Sequence, residues 1–148
     1  MAQPSYMLLA LDEAARAAAR GEVPVGAVVV TGSEIVAAAG NRVIELSDPT
    51  AHAEMLAIRA AAAAQGSERL VDCDLYVTLE PCPMCAQAIS LARLRRLYYG
   101  AADAKGGGVD HGPRLFTQPS CHHRPEVYGG IDEERAGQLL RDFFRQRR

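Results

Sequence analysis

The stretch "DLYVTLEPCPMCAQAISLARLRRLYYGA", residues 74–101, most constrains the fold of this chain. Its first part is a nearly continuous apolar run of strand length, which is typical of a strand buried in a sheet. Pro83 suits the first turn of a helix, and the apolar spacing after it predicts that a helix follows. "RRLYYGA" then predicts another strand. A chain that alternates strands and helices in this way is expected to pack its helices against a sheet.

The rest of the chain extends this pattern in both directions. Upstream we predict a helix over about 5–20, a β-hairpin built from "VPVGAVVVTG" and "EIVAAAGN", and a helix in "HAEMLAIRAAAAAQG". Downstream we predict a long loop over 103–124, with a helical turn near 114–117, a short strand in "PEVYGG" and a closing helix. The sequence therefore predicts one α/β domain over residues 1–148, with helices on both faces of a sheet.

Length, charge and cysteine content exclude several classes of protein. A chain of 148 residues is long enough to bury a core without a disulfide framework. The net charge of -2 gives no global attraction to nucleic acid. The N-terminal segment lacks the cationic start of a signal peptide, and no run reaches the ~18 apolar residues of a membrane span. We therefore expect a cytoplasmic protein in which Cys82 and Cys85 bind metal or act in catalysis, rather than form a disulfide.

Two short motifs fall where the chain enters a predicted helix. One is His52-x-Glu54, and the other is Cys82-x-x-Cys85 in "EPCPMC". Free N–H groups at a helix N-terminus favour thiolates over thiols, and two thiolates with one imidazole are a partial ligand set for zinc. If the two helix ends converge, three protein ligands meet and a fourth position stays open, which is typical of a catalytic zinc site.

Glu54 has a different expected role, because a carboxylate beside a zinc site can take a proton from water and later deliver it. A structural zinc site is the alternative, and it would need a fourth protein ligand. Four residues could supply that ligand: Cys121, His111, His122 and His123. The spacing alone leaves both kinds of site open. Cys73 is expected to be a buried, small apolar residue.

His-x-Glu followed by Pro-Cys-x-x-Cys resembles the known signature of the zinc-dependent nucleoside and nucleobase deaminases. Other segments resemble the bacterial tRNA adenosine deaminases along nearly the whole chain: "EVPVGAVVV", "GNR", "DPTAHAE", "LYVTLEPCPMCAQAIS", "YYGAADAKGG", "HHRPEV" and "LLRDFFRQRR". The resemblance implies a cytidine deaminase-like fold, which is a single three-layer domain with a five-stranded mixed sheet. The segment 109–121 departs from the sequence usual in that family.

The resemblance also implies roles for individual residues. His52, Cys82 and Cys85 would hold one Zn²⁺ per chain, and Glu54 would be the general acid and base. The implied contacts to substrate come from Asn41, Val25, Ala53, Asp103, Lys105, Phe144, Arg147 and Arg148. The implied reaction is hydrolytic deamination of adenosine to inosine at the wobble position of a tRNA anticodon. The implied enzyme is a homodimer that binds the anticodon stem-loop.

Two other functions remain open on the residues alone. A deaminase of a free nucleobase or nucleoside, such as cytosine, cytidine or guanine, would use the same zinc and glutamate. A non-catalytic, zinc-stabilised RNA-binding subunit would have no need of Glu54. The basic closing helix favours RNA over a small molecule, although its arginines could equally form a solvated helix end. Its Phe143 and Phe144 are at a spacing that predicts core residues.

Overall fold

The computed structural model describes residues 5–147, and it confirms the predicted order of helices and strands. The elements are α1 (Tyr6–Ala19), β1 (Gly26–Thr31), β2 (Glu34–Gly40), α2 (Ala53–Gln65), β3 (Cys73–Leu79), α3 (Pro83–Ala92), β4 (Arg96–Ala101), a 3₁₀ turn (Leu115–Thr117), β5 (Glu126–Tyr128) and α4 (Glu133–Gln146). The predicted helical turn in the long loop and the short strand after it are both present. Within the described residues, no helix is both long enough and apolar enough to span a membrane.

The five strands form one mixed sheet in the order β2-β1-β3-β4-β5. β1 runs antiparallel to both β2 and β3, whereas β3, β4 and β5 run parallel to one another. Residues 32–33 turn the hairpin, and Gly32 has a φ of 60°, in the left-handed region that glycine enters without a steric cost. The predicted cytidine deaminase-like arrangement is therefore confirmed.

Helices cover both faces of this sheet. α1 and α4 pack on one face, and α2 and α3 pack on the other. Two glycines let the first pair approach the strands closely, because a Cβ on Gly26 would lie 2.0 Å from the Ala10 carbonyl oxygen of α1. A Cβ on Gly100 would likewise lie 3.0 Å from the Ala136 Cβ of α4. A larger side chain at Gly26 would push α1 away from the sheet, and one at Gly100 would crowd both α4 and the Thr78 carbonyl oxygen of β3.

The second face places the functional residues. Small and branched apolar side chains fill the space between α2, α3 and the sheet, including Ala57, Ala86 and Ile89. α3 begins four residues after β3 ends, and its first turn packs near the first turn of α2. As expected, Cys73 is buried in this core. The motifs that were separate in the sequence therefore lie side by side in the fold.

Candidate active site

His52, Cys82 and Cys85 meet at the N-termini of two helices. His52 occupies the N-cap position of α2, and Cys82 occupies that of α3 with Pro83 directly after it. The His52 Nδ1 atom lies 3.6 Å from the Cys82 Sγ and 3.5 Å from the Cys85 Sγ. The possible ligand atoms of all three side chains lie within 4.8 Å of one another. The convergence predicted from the motifs is therefore present.

The three side chains shift one another's pKa values. A hydrogen bond from the Cys85 thiol, followed by one from His52, lowers the pKa of Cys82 to about 4. That same thiol–thiolate contact and burial raise the pKa of Cys85. The hydrogen bond to Cys82 raises the pKa of His52. The cluster therefore favours the thiolate form of Cys82, and the thiolate is the form in which cysteine binds a metal.

Glu54 lies in the first turn of α2 beside this cluster and is only 4% exposed. Burial raises the pKa of its carboxyl group to about 7. Neutral pH therefore lies close to the point at which this carboxyl group gains or loses a proton. A carboxyl group of this kind can exchange a proton with a substrate near physiological pH.

The donor set fits zinc with an open position. Two sulfurs and one imidazole nitrogen are ordinary zinc ligands. Within residues 5–147, no other group of three or more His, Cys, Asp or Glu side chains converges in this way. None of the four possible fourth ligands belongs to this group. His122 is exposed, and the other three are held elsewhere: His111 contacts Glu80, His123 contacts the Leu94 carbonyl oxygen, and Cys121 contacts Ser90 and the His123 carbonyl oxygen. The geometry favours the catalytic kind of zinc site over the structural kind.

A cavity of about 400 Å³ opens above the cluster. Val25, which was predicted to shape a base pocket, lines it, as does Asn41. The Asn41 Oδ1 accepts a hydrogen bond of 2.7 Å from the Ala53 N–H, so its NH₂ group remains available as a donor to a ligand. Ala53 itself is fully buried and is not among the residues that line the cavity; it contributes through this N–H.

The remaining predicted contacts lie around or beyond the cavity mouth. Asp103 lines the cavity, and Lys105 is exposed on the same loop. Phe144 is 51% exposed and does not line the cavity, and Phe143 is only half-buried, so the prediction that these two residues belong to the core is wrong. Because α4 buries only Ala136 fully, its C-terminal turns are left to solvent. Arg148 lies outside the described residues.

Arg147 lies nearer to the cavity than its place at the chain end suggests. Its guanidinium stacks over the Phe143 ring at 4.4 Å from the centroid. A Cβ built on Gly21 would lie 3.6 Å from the Arg147 Nη2, and the next residue, Glu22, lines the cavity. The end of α4 therefore reaches the edge of the site.

Two buried carboxylates, Glu22 and Glu80, line the cavity and were not predicted from the sequence. Glu22 accepts hydrogen bonds from the Ile44 N–H at 3.0 Å and the Glu45 N–H at 2.8 Å. Glu80 accepts four backbone hydrogen bonds from the loop after β4. The available signal was an acid at the end of an apolar strand, as in "DLYVTLE", because such a residue must be paired if it is buried.

The site therefore has two parts. We call His52, Glu54, Cys82 and Cys85 the floor. We call the loop segments 42–46 and 103–111 the rim, because Val43, Ile44, Asp103 and Gly106 line the cavity from them. Sequence reasoning also missed that Arg20 and Arg42 gather near the rim: Arg20 donates to the Asn41 carbonyl oxygen and Arg42 to the Glu45 carboxylate.

Comparisons with known proteins agree with this geometry. Residues 2–101 match the family described as the cytidine and deoxycytidylate deaminase zinc-binding region. The chain is 58% identical over 143 residues to the tRNA-specific adenosine deaminase of Agrobacterium fabrum, a match that covers 97% of this chain and 94% of that protein.

Solved structures show the same relationship. A structure from a study of A-to-I editing by tRNA deaminases at the wobble position of transfer RNA has a TM-score of 0.90 and 58% identity, and the match covers 91% of this chain and 98% of that chain. A guanine deaminase from Bacillus subtilis has a TM-score of 0.68 and 31% identity, over 99% and 94% of the two chains. The chain therefore belongs to the zinc-dependent cytidine and deoxycytidylate deaminase superfamily and, within it, to the tRNA-specific adenosine deaminases.

Proposed function

We propose that residues 1–148 form a single deaminase domain. The protein converts the wobble adenosine of a tRNA anticodon to inosine. The observation that carries the proposal is the buried Glu54 beside three converging zinc ligands at the bottom of a cavity. Similarity to tRNA-specific adenosine deaminases over 97% of the chain supports the choice of substrate. The buried carboxyl group argues against a silent RNA-binding subunit, which would have no use for it.

His52, Cys82 and Cys85 would hold the metal, and Glu54 would move protons. Zinc, when bound, supplies a Lewis acid that activates water for hydrolysis. In the overall reaction water adds at C6 of adenine, the bond from C6 to the amino nitrogen breaks, and ammonia leaves. Glu54 would accept one proton from the water and pass it to the ring nitrogen N1, which keeps it in the product. It would then take the second proton from the oxygen now on C6 and deliver it to the departing amino group, as the C6 carbonyl forms. Its burial keeps bulk water from competing for those protons.

The target base would enter the cavity while its neighbours stay outside. A base in a single-stranded loop costs less to extrude than one in a duplex. Asn41 would donate to the target nucleoside, with Val25 and the backbone of Ala53 shaping the pocket. The flanking nucleotides would meet residues on the rim and on α4: Asp103, Lys105, Phe144, Arg147 and Arg148. Exposed aromatic and cationic side chains suit stacking on bases and contact with phosphates.

We also propose that the protein works as a cytoplasmic homodimer, as the resemblance to bacterial relatives implies. Light scattering of the purified zinc-loaded protein would measure its mass directly. A mass of one chain at micromolar concentration would exclude a stable dimer.

Deamination of four substrates, measured side by side, tests the proposed substrate. We expect an anticodon stem-loop with adenosine at the wobble position to give a far higher kcat/KM than adenosine, cytidine or guanine, because only the stem-loop provides flanking contacts. The guanine deaminase fold shared at 31% identity makes guanine the critical control. If guanine or another free substrate is deaminated more efficiently than the stem-loop, the protein is a small-molecule deaminase and the proposal is wrong.

A further inference from the structure

Glu80 is the most heavily hydrogen-bonded side chain near the site, and the proposed chemistry does not use it. Its side chain is fully buried. Oε1 accepts from the Asp103 N–H at 3.0 Å and from the His111 Nδ1–H at 2.7 Å. Oε2 accepts from the N–H groups of Val109, Asp110 and His111 at 2.9–3.2 Å. Five donors from one loop therefore converge on a single carboxylate.

These donors span the 103–111 segment of the rim, so the carboxylate closes that segment into a compact loop. Glu80 joins its first residue, Asp103, to its last, His111. Inside the loop, the Asp103 Oδ1 accepts from the Gly106 N–H at 2.8 Å and from the Lys105 N–H at 3.2 Å. Two carboxylates therefore hold the loop, Asp103 from within it and Glu80 from beneath it.

The same loop lies directly on the segment that carries Cys82. The Gly108 N–H donates to the Pro81 carbonyl oxygen at 2.8 Å. A Cβ on Gly108 would lie 2.6 Å from the Pro83 nitrogen, and one on Gly107 would lie 2.5 Å from the Glu80 Oε2. No side chain larger than hydrogen fits at either glycine without a shift. The rim on this side is thus attached to the residues on both sides of a proposed metal ligand.

His111 is the one side chain of the loop that contacts Glu80. It is partly exposed, whereas the carboxylate beneath it is not. Its neighbour Asp110 accepts a hydrogen bond from the hydroxyl of Tyr99 in β4. Two adjacent residues of the divergent 109–121 segment therefore fasten the end of the loop, one to β4 and one to Glu80.

We propose that Glu80 and His111 are positioning residues, which hold the 103–111 segment in the position that receives RNA next to the target base. This inference rests on the proposed function, because it assigns the segment to the nucleotides that flank a base in RNA. Asp103 and Gly106 line the cavity from this segment, and Lys105 is exposed on it. Loosening the loop therefore impairs capture of the stem-loop while leaving Glu54 and the ligand set in place.

The experiment compares His111→Ala with His111→Asn, and uses His122→Ala as the matched control. Asparagine keeps a side-chain donor near the position of Nδ1, whereas alanine removes it. His122 is exposed farther along the same long loop, outside the 103–111 segment, and it neither donates to Glu80 nor belongs to the His52, Cys82 and Cys85 group. Steady-state kinetics with the anticodon stem-loop, zinc content, and hydrogen exchange of the 103–111 amides are measured for each zinc-loaded protein.

We expect His111→Ala to raise KM for the stem-loop about five- to tenfold, as loss of one hydrogen bond of ordinary strength would, because His111 is partly exposed. Its kcat and zinc content should stay within twofold of wild type, and the 103–111 amides should exchange faster. His111→Asn should recover most of the KM, and His122→Ala should change none of these values. Glu80→Gln, which replaces an acceptor oxygen with an NH₂ group, should raise KM further if it folds.

Three results would overturn the proposal. They are an unchanged KM in a folded His111→Ala protein, an equal KM defect in His111→Asn, or a fall in kcat with zinc lost. In that last case the loop would act on the metal site instead of on RNA. A wild-type protein that does not deaminate the stem-loop at all would refute the proposed function, and is thereby distinguished from these three results.

Discussion

The floor and the rim of the cavity are built in opposite ways. The floor lies on the first turns of α2 and α3, and its spacing follows from helix geometry and a short linker after β3. The rim consists of irregular loops, and buried carboxylates hold it by hydrogen bonds to backbone N–H groups. Glu54 is 4% exposed, whereas Ile44 on the rim is 71% exposed.

In the proposed function, this difference separates chemistry from selection of the substrate. Helix starts that pack against a sheet are rigid, and they can hold a proton-transfer group and a metal at fixed distances. Loops that are held by a few hydrogen bonds can change in sequence without disturbing the geometry of the floor. Changes to the floor should therefore reduce kcat, and changes to the rim should raise KM or weaken binding.

Removal of the metal should have the largest effect. We expect Cys82→Ser, or treatment with a chelator, to abolish deamination and lower the melting temperature, because a ligand set of three has no spare member. Bound zinc and turnover would be measured together. Cys121→Ser is the matched control, since Cys121 contacts Ser90 and not the cluster. Loss of zinc from Cys121→Ser would show that Cys121 is a fourth ligand and that the zinc site is structural.

Glu54→Ala should follow, with kcat reduced by roughly 10⁴-fold, at the upper end for an acid–base group. KM should change little and zinc should stay bound, because the carboxylate is not needed as a ligand. Single-turnover deamination of the stem-loop would measure the loss. Glu68→Ala, a change to an exposed glutamate in the turn after α2, should behave as wild type. A kcat near that of wild type in zinc-loaded Glu54→Ala would show that Glu54 is not the general acid and base.

Glu22→Ala probes the other side of the rim. The change leaves the N–H groups of Ile44 and Glu45 without their acceptor, so we expect the free energy of unfolding to fall by about 1–3 kcal/mol. The KM for the stem-loop should rise, whereas kcat at saturation should stay near wild type. Urea denaturation and steady-state kinetics would check this. A loss confined to kcat would mean that this segment serves the floor.

Arg147→Ala should have the smallest effect. We expect weaker binding of the stem-loop and a shallower salt dependence. The slope of the logarithm of the binding constant against the logarithm of salt concentration should decrease in magnitude by about 1, as for one lost phosphate contact. Binding would be measured by fluorescence anisotropy at several salt concentrations. Arg69→Ala is the control, because Arg69 is exposed at the end of β3 opposite to Cys82. An identical slope in both variants would place Arg147 outside the RNA contact.

The sequence predicted the floor well and the rim poorly, for the same physical reason. His52, Glu54, Cys82 and Cys85 belong to motifs of three or four residues at helix starts, where local spacing fixes direction. Helix and strand order was also predictable, because apolar periodicity is local.

The contacts that hold the rim are long-range. Glu80 meets residues 23–31 positions later in the chain, and Glu22 meets residues 22–23 positions later. No local pattern indicates such pairs. The prediction for Phe144 was wrong for a related reason. Its apolar spacing predicted burial, but α4 buries only Ala136 fully and leaves Phe144 51% exposed.

The contact at Gly100 sets the tilt of α4, and small changes in that tilt are amplified at the far end of the helix. Gly100 brings the sheet against Ala136 near the start of α4, and Arg147 ends the described chain eleven residues farther on. At 1.5 Å per residue the arm is roughly 16 Å long, so a tilt of about 10° at Gly100 would move Arg147 by about 3 Å. A methyl group added at Gly100, which does not line the cavity, would thus displace Arg147 at the edge of the site. Residues that set RNA affinity therefore need not lie anywhere near the RNA.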